Sequence, residues 1–354
     1  MSAQNPLVSI VLAGGRGLRL WPESRRQRPK QLCRFINNKT MLDHTLDRLK
    51  LAGFGQVLIV TSDDLKPSIA NLVQNRDDAE YITILSEPEG KNTAPALGLA
   101  LAHLYPFQEE LIIGVFPADH HVLDTEAFVH SIEKAVQAAR LNQVATIGIT
   151  PDRPETGYGY IEQTYWEVGE LPDVYHVRSF CEKPDQPTAK SYVESGRHMW
   201  NSGIFIGKAH TFLEEFKQHL PEIHEKMLGG LESYLSSYSY LPDISLDYGI
   251  AEKCERIAVV PADFGWSDLG SWEALSELFS ADGKNNCING QKVVALESEQ
   301  CLIKQEEKNI VLFGVENLLV VESGDVVFIA DRNRSQDIRQ VVAELEAKQH
   351  LDLL

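Results

Sequence analysis

The chain reads as an α/β protein in which helices cover both faces of a mainly parallel sheet. A small β-rich domain follows and ends in a helix. Apolar runs alternate with amphipathic segments through roughly the first two-thirds of the sequence, the rhythm of strand–helix–strand units. From about Gln291 short β-rich runs follow one another with no helix between them. The 354 residues suffice for one large domain and one small one.

Buried strands are expected at Val8–Leu12, Gln56–Thr61, Thr83–Leu85, Leu111–Phe116 and Val144–Ile149. Helices are expected at Thr40–Leu51, Pro67–Gln74, Ala94–Tyr105 and Thr125–Leu141, where apolar residues recur at helical spacing. In such sheets ligands gather at the carboxyl ends of the strands. The later β runs are Val293–Leu296, Cys301–Lys304, Ile310–Val315, Leu318–Glu322 and Val326–Ala330. A last helix, from about Ser335 to His350, carries Ile338, Val341, Val342 and Leu345 on one face. The stretch Gly283–Gly290, with Asn285, Asn286 and Asn289, reads as the boundary between a domain of residues 1–285 and one of residues 286–354. Gly229 to Tyr240, rich in Gly, Ser and Tyr, reads as a loop.

A net charge of -18 argues against a nucleic-acid partner, which needs a basic face. Five scattered cysteines without a Cys-x-x-Cys pair fit reduced thiols in a cytoplasmic setting. No signal peptide is expected, and no apolar stretch is long enough to span a bilayer, so no membrane partner is expected.

Against that acidic whole, one segment is basic. The strand Val8–Leu12 runs into Gly14, Gly15 and Gly17, then into Arg16, Arg19, Arg25, Arg26, Arg28, Lys30 and Arg34, with Glu23 as the single acid. Glycines let successive N–H groups converge on phosphate oxygens, and the cations supply the charge a polyphosphate requires. No Lys-Ser or Lys-Thr follows, so this is not a P-loop. Leu20 stands where a dinucleotide fingerprint places its third glycine, which excludes an NAD-binding reading.

Gly-Gly-x-Gly-x-Arg-Leu-Trp-Pro followed by Pro29-Lys30-Gln31 resembles the signature of the sugar-nucleotidyltransferases, within them the branch that guanylylates mannose 1-phosphate. The resemblance implies a Rossmann-like nucleotidyltransferase domain and a C-terminal left-handed β-helix, although no clean hexapeptide repeat is visible. It also implies a short form without a fused isomerase domain. One departure is Leu18, where the family usually has Thr. Arg19 and Lys30 are the expected catalytic cations, and Leu12, Ala13, Gly14, Gly15 and Gly17 the expected nucleotide cradle.

Pro117-Ala-Asp-His-His closes a strand, and Phe264-Gly-Trp-Ser-Asp-Leu-Gly brackets a second acid. Carboxylates at such places suit Mg²⁺, which binds through one or two carboxylates plus substrate phosphates. The family uses both positions, which makes Asp119 and Asp268 the expected catalytic ligands of Mg²⁺ or another divalent cation. His120 and His121 suit an oxygen-preferring ion less well. In Glu87-Pro-Glu-Gly-Lys-Asn-Thr-Ala-Pro, Glu87 is expected to accept guanine N1–H and N2–H₂. Asn92 joins it in nucleotide binding, with Thr93 capping the following helix, and Lys91 stands where relatives commonly carry Arg. Gly157, Glu182, Lys183 and Asn201 form the expected sugar-phosphate set. The implied reaction takes GTP and mannose 1-phosphate to GDP-mannose and pyrophosphate. The alternatives are another sugar 1-phosphate, such as a heptose or fucose, or a non-catalytic regulatory homologue that binds a sugar nucleotide. The β-rich tail is an expected surface for a homo-oligomer.

Overall fold

The computed structural model describes residues 7–15 and 17–354; Arg16 of the basic segment lies outside them. The strands of the first two-thirds are β1 (Leu7–Leu12), β2 (Gln56–Ser62), β3 (Ile82–Glu87), β4 (Ile112–Pro117), the short β5 (His121–Val122), β6 (Val144–Ile149), β7 (Tyr160–Glu167), β8 (Tyr175–Cys181), β9 (His198–Lys208) and β10 (Ile257–Ala262). The helices among them are α1 (Met41–Leu51), α2 (Lys66–Val73), α3 (Thr93–Leu104), α4 (Thr125–Arg140), α5 (Gln186–Ser195), α6 (Ala209–His219), α7 (Pro221–Met227) and α8 (Gly230–Ser236). All five expected strands and all four expected helices of this region form, with ends moved by a residue or two.

Nine strands make one sheet in the order β3-β2-β1-β4-β9-β6-β10-β8-β7. β1 pairs parallel with both β2 and β4, so the chain leaves β1 at the point where strand order reverses, the place where open α/β sheets bind ligands. Long β9 runs antiparallel between β4 and β6, and β7 and β8 are antiparallel as well, which makes the sheet mixed. None of these three strands stands out in the sequence. β7 and β8 are largely half-exposed and carry charged residues, so their apolar signal is weak. α3 is buried over most of its length and its Leu97, Leu99 and Leu101 lie in the main core with Val8, Ile10 and Leu58.

The stretch Gly229–Tyr240 is not a loop. It forms α8 and a 3₁₀ turn at Tyr238–Tyr240, with Tyr234 and Tyr238 fully buried. Gly98 of α3 makes room for it, since a Cβ there would lie 2.2 Å from the Tyr234 hydroxyl.

The chain divides into two compact units that are not contiguous in sequence. One is built on the nine-stranded sheet. The other joins Gly15–Thr45 and Asp119–His121 to Ser267–Leu354. Elements from Trp266 onward are β11 (Trp266–Ser267), α9 (Trp272–Ser276), β12 (Ser280–Ala281), β13 (Cys287–Asn289), β14 (Val293–Leu296), β15 (Leu302–Lys304), β16 (Ile310–Phe313), β17 (Leu318–Ser323), β18 (Val326–Asp331) and α10 (Ile338–Ala347). Parallel pairing of β13 with β15, β15 with β17 and β14 with β16 stacks successive coils. Val293 meets Ile310, Leu302 meets Leu319 and Glu299 meets Glu316, each at the same separation along the chain. The repeat is therefore a whole coil, which explains why no hexapeptide was visible. The asparagine-rich stretch is part of the first coil. Buried Asn286 donates to Asp282 and the Ser298 carbonyl at 2.9 Å and accepts from the Cys301 N–H.

The core of this second unit mixes both ends of the sequence. Leu20, Trp21, Cys33, Phe35 and Met41 pack in one cluster with Leu269, Trp272, Leu302, Leu319, Ile338, Val342 and Leu354. The Trp21 indole donates to the Leu353 carbonyl at 2.8 Å, and the Trp272 indole donates to the Trp21 carbonyl. Half-buried Leu18 packs against the same cluster, so the residue that replaces the family's Thr serves as a hydrophobic contact.

Candidate active site

The signature segment divides its cations between two jobs. Arg25 donates to Asp325 at 2.7 Å and to the Ser323 carbonyl, and Arg28 donates to the Ser323 hydroxyl at 2.6 Å. Arg26 pairs with Glu346. These three arginines hold the segment to the β coils and the last helix rather than facing a polyphosphate, which corrects the expectation for them. Glu23, the segment's single acid, forms a buried ion pair of 2.6 Å with Lys304 of β15. Exposed Arg19 has no ion pair among the described residues.

Lys30 does something different. It is 5% exposed, and its ammonium donates to Asp119 Oδ2 at 2.8 Å and to the Asp268 carbonyl. Gly17, at φ +59°, is needed for this: a Cβ there would stand 2.6 Å from Lys30 Cβ. The three residues the motifs single out most strongly are thus brought together. Asp119 follows β4 by two residues. Burial opposes its ionisation, but the charges of Lys30 and then His120 outweigh that and hold its carboxyl below the usual carboxylate range. Asp268 Oδ1 accepts from the Gly270 N–H at 3.0 Å, which fixes that carboxylate in its turn.

These donors fit a hard divalent cation. The Asp119 carboxylate is held ionised, its side chain is 31% exposed, and one Lys30 contact leaves it acceptor capacity. No group of three or more His, Cys, Asp or Glu side chains that could hold a metal occurs among the described residues.

The sheet unit carries the other expected residues except Gly15, which falls in the second unit. The Ala13 N–H donates to the Val60 carbonyl and the Leu12 carbonyl accepts from Ala118, so both belong to the sheet's own bonding. Gly14, exposed, begins the loop proper. Glu87, at the end of β3, is 5% exposed. Tyr238 donates its hydroxyl to Oε1, and a Cβ at Gly14 would lie 3.1 Å from Oε2. Burial pushes the Glu87 carboxyl up to about 7, with the Tyr238 hydrogen bond pulling the other way. Asn92, at φ +68°, caps α3 with its own side chain, accepting from the Thr93 N–H. The Thr93 hydroxyl accepts from the Leu246 N–H at 2.7 Å instead, so Thr93 is not the cap. Lys91 donates to the Ser239 and Leu241 carbonyls, which fastens the turn that carries Tyr238.

Of the residues expected to meet the sugar phosphate, Asn201, Glu182 and Lys183 come together at one residue that no motif had singled out, Asp247. Asn201 of β9 donates to Asp247 at 2.7 Å and accepts from the Gly203 N–H at 3.1 Å, so its amide orientation is set. Asp247 opens a turn of π-helix, a distortion common at functional sites. Burial, then the negative charge of Glu182, pushes its carboxyl up to about 6. The Glu182 side chain is 8% exposed; Lys183 occupies Oε1 at 2.7 Å, and Oε2 is buried without a hydrogen-bond partner among the described residues. Burial acts against the Lys183 charge, but Glu182 beside it raises its pKa. Gly157 spends its N–H on Glu155. Gly159 makes the close approach, since a Cβ there would stand 2.3 Å from Glu182 Oε2.

Comparison with known proteins decides the family. A model described as nucleotidyl transferase matches residues 8–285, and one described as a MannoseP isomerase/GMP-like beta-helix domain matches residues 291–345. The chain belongs to the nucleotidyl transferase family. It is 36% identical over 364 residues to the alginate biosynthesis protein AlgA of Pseudomonas syringae pv. tomato, covering 98% of this chain and 74% of that one. It is also 36% identical to the mannose-1-phosphate guanylyltransferase of Escherichia coli K12, with coverage of 98% and 74%. The crystal structure described as mannose-1-phosphate geranyltransferase from Thermus thermophilus superposes with a TM-score of 0.87 at 36% identity, covering 96% of this chain and 99% of that one. As a nucleotidyltransferase the chain is an enzyme. Among the described residues no helix is long and apolar enough to cross a membrane.

Proposed function

We propose that this nucleotidyltransferase transfers GMP from GTP to mannose 1-phosphate, forming GDP-mannose and releasing pyrophosphate. The contact of the Lys30 ammonium with the Asp119 carboxylate, 2.8 Å long, and with the Asp268 carbonyl carries the reading. It gathers fixed positive charge and hard oxygen donors, which phosphoryl-type chemistry requires. The relatives' names point to the same substrates.

A sugar phosphate is largely dianionic at neutral pH, so its oxygen attacks the α-phosphorus without a general base. The new P–O bond forms in line as the bond to the bridging oxygen of pyrophosphate breaks, and the electron pair leaves with pyrophosphate. The chain's task is to position the reactants and offset their charge. Arg19 and Lys30 offset the triphosphate charge, and the backbone of Gly14, Gly15 and Gly17 lets phosphate approach. Asp119 and Asp268 would hold a divalent cation such as Mg²⁺, which when bound supplies Lewis-acid charge to the phosphate oxygens. Glu87 accepts from the guanine edge, with Asn92 and the start of α3 beside the nucleotide. Glu182 and Asp247 accept from sugar hydroxyls, Asn201 keeps Asp247 oriented, and Lys183 meets the sugar's phosphate.

Pyrophosphate release from the purified protein, with GTP, ATP, UTP and dTTP each paired with mannose, glucose, fucose and heptose 1-phosphates, tests this. The expected result is turnover concentrated on GTP with mannose 1-phosphate. A different preferred pair, or sugar-nucleotide binding without turnover, would overturn it.

A further inference from the structure

Glu87 presents a problem that the chain solves from a distance. A carboxylate that is to accept from guanine must be charged, yet this one is almost wholly buried. Its Oε1 accepts from the hydroxyl of Tyr238, 151 residues along the chain. Tyr238 is itself fully buried, and its turn is fastened twice. Lys91, from the Glu87 loop, donates to the carbonyls of Ser239 and Leu241. Tyr234, from α8, lies edge-on to the Tyr238 ring at 5.9 Å and donates to the Pro95 carbonyl of α3. The Tyr238 hydroxyl therefore has a fixed address, Glu87 Oε1, while Oε2 lies toward the Gly14 backbone.

We infer that Tyr238 is a positioning residue for nucleobase choice: it holds Glu87 as an oriented carboxylate whose remaining acceptor sites select guanine. The inference rests on Glu87 being the base-reading residue. A carboxylate accepts from guanine N1–H and N2–H₂, and adenine offers no such pair. A protonated Glu87 loses that complementarity. The titratable groups around the pair are Tyr234 from α8, and Glu89 and Lys91 from the Glu87 loop, with the Lys91 ammonium turned to the two carbonyls. Tyr238 is thus the group placed to favour the charged form.

The test compares kcat/KM for GTP, ITP and ATP at saturating mannose 1-phosphate, from pH 6 to 8.5, in wild type, Tyr238→Phe, Glu87→Gln and Tyr234→Phe. Loss of one hydrogen bond to a charged group is worth roughly tenfold to a hundredfold in discrimination. Tyr238→Phe is expected to lose about that much of the GTP preference, mainly through KM, and to move its pH dependence upward. Tyr234→Phe removes a hydroxyl from the same segment and is expected to keep the preference. If Glu87→Gln loses the preference and Tyr238→Phe keeps it, the inference fails while the Glu87 reading stands. If neither changes it, the Glu87 reading fails first. Should Tyr238→Phe not fold, Lys91→Met, which releases the turn that carries Tyr238 from the Glu87 loop, takes its place: a several-fold loss of GTP preference is expected, and an unchanged preference would overturn the inference.

Discussion

Asp119 depends on Lys30 for its charge. Asp119 titrates below its ordinary value in the folded chain, so its ionisation adds stability above about pH 4, which is lost as pH falls through its folded pKa. Lys30→Ala should therefore be less stable than wild type at pH 7, with the difference shrinking in acid; thermal melts at pH 7 and pH 3.5 check this, and a pH-independent difference would contradict it. Asp247 has the opposite sign. Its carboxyl is raised to about 6, so the folded chain loses stability as pH climbs from about 4 to about 6. Asp247→Asn should melt higher than wild type at pH 8, show no gain at pH 3.5, and raise KM for the sugar phosphate. An unchanged KM would remove Asp247 from the sugar site. Lys30, Asp119 and Asp268 were legible in the sequence because each sits in a short motif of unusual composition. Asp247 sits in Ile-Ser-Leu-Asp-Tyr, which has no such mark, and only the fold brings it to Asn201. Arg25, Arg26 and Arg28 were misread because composition records a charge and not its partner.

At the scale of elements, apolar runs bounded by Gly, Pro or Asn gave away β1 to β4, β6 and the helices between them. They did not give away α8. Gly229-Gly230 and four serines look like a turn, and helix propensity is poor there. Tertiary packing overrides that propensity, because Tyr234 fills the space above Gly98 and Tyr238 reaches Glu87. Gly98→Ala would place a methyl 2.2 Å from the Tyr234 hydroxyl. Overpacking of this kind costs about 1–3 kcal/mol. Urea denaturation should show that loss, and Gly98→Ala combined with Tyr234→Phe should regain part of it. A neutral Gly98→Ala would mean that α8 does not sit on α3 as described.

At the scale of the molecule, the segment Gly15–Thr45 and the C-terminal coils form one compact unit with a shared core. No local pattern in the sequence announces that, because the partners stand some 300 residues apart, as Trp21 and Leu353 do. The buried Glu23–Lys304 pair ties the two ends electrostatically. Lys304→Met leaves the buried Glu23 carboxylate with only the longer, 3.7 Å pairing to Arg28 and should cost about 3 kcal/mol, while Glu23→Leu with Lys304→Met should recover most of it. Urea midpoints of the three variants check this, and a harmless Lys304→Met would contradict it. If Lys30 and Asp119 serve nucleotidyl transfer, pyrophosphate release from GTP and mannose 1-phosphate by Asp119→Asn, with circular dichroism confirming its fold, should show a kcat at least about a hundredfold below wild type. Turnover near the wild-type rate in the folded variant would contradict it.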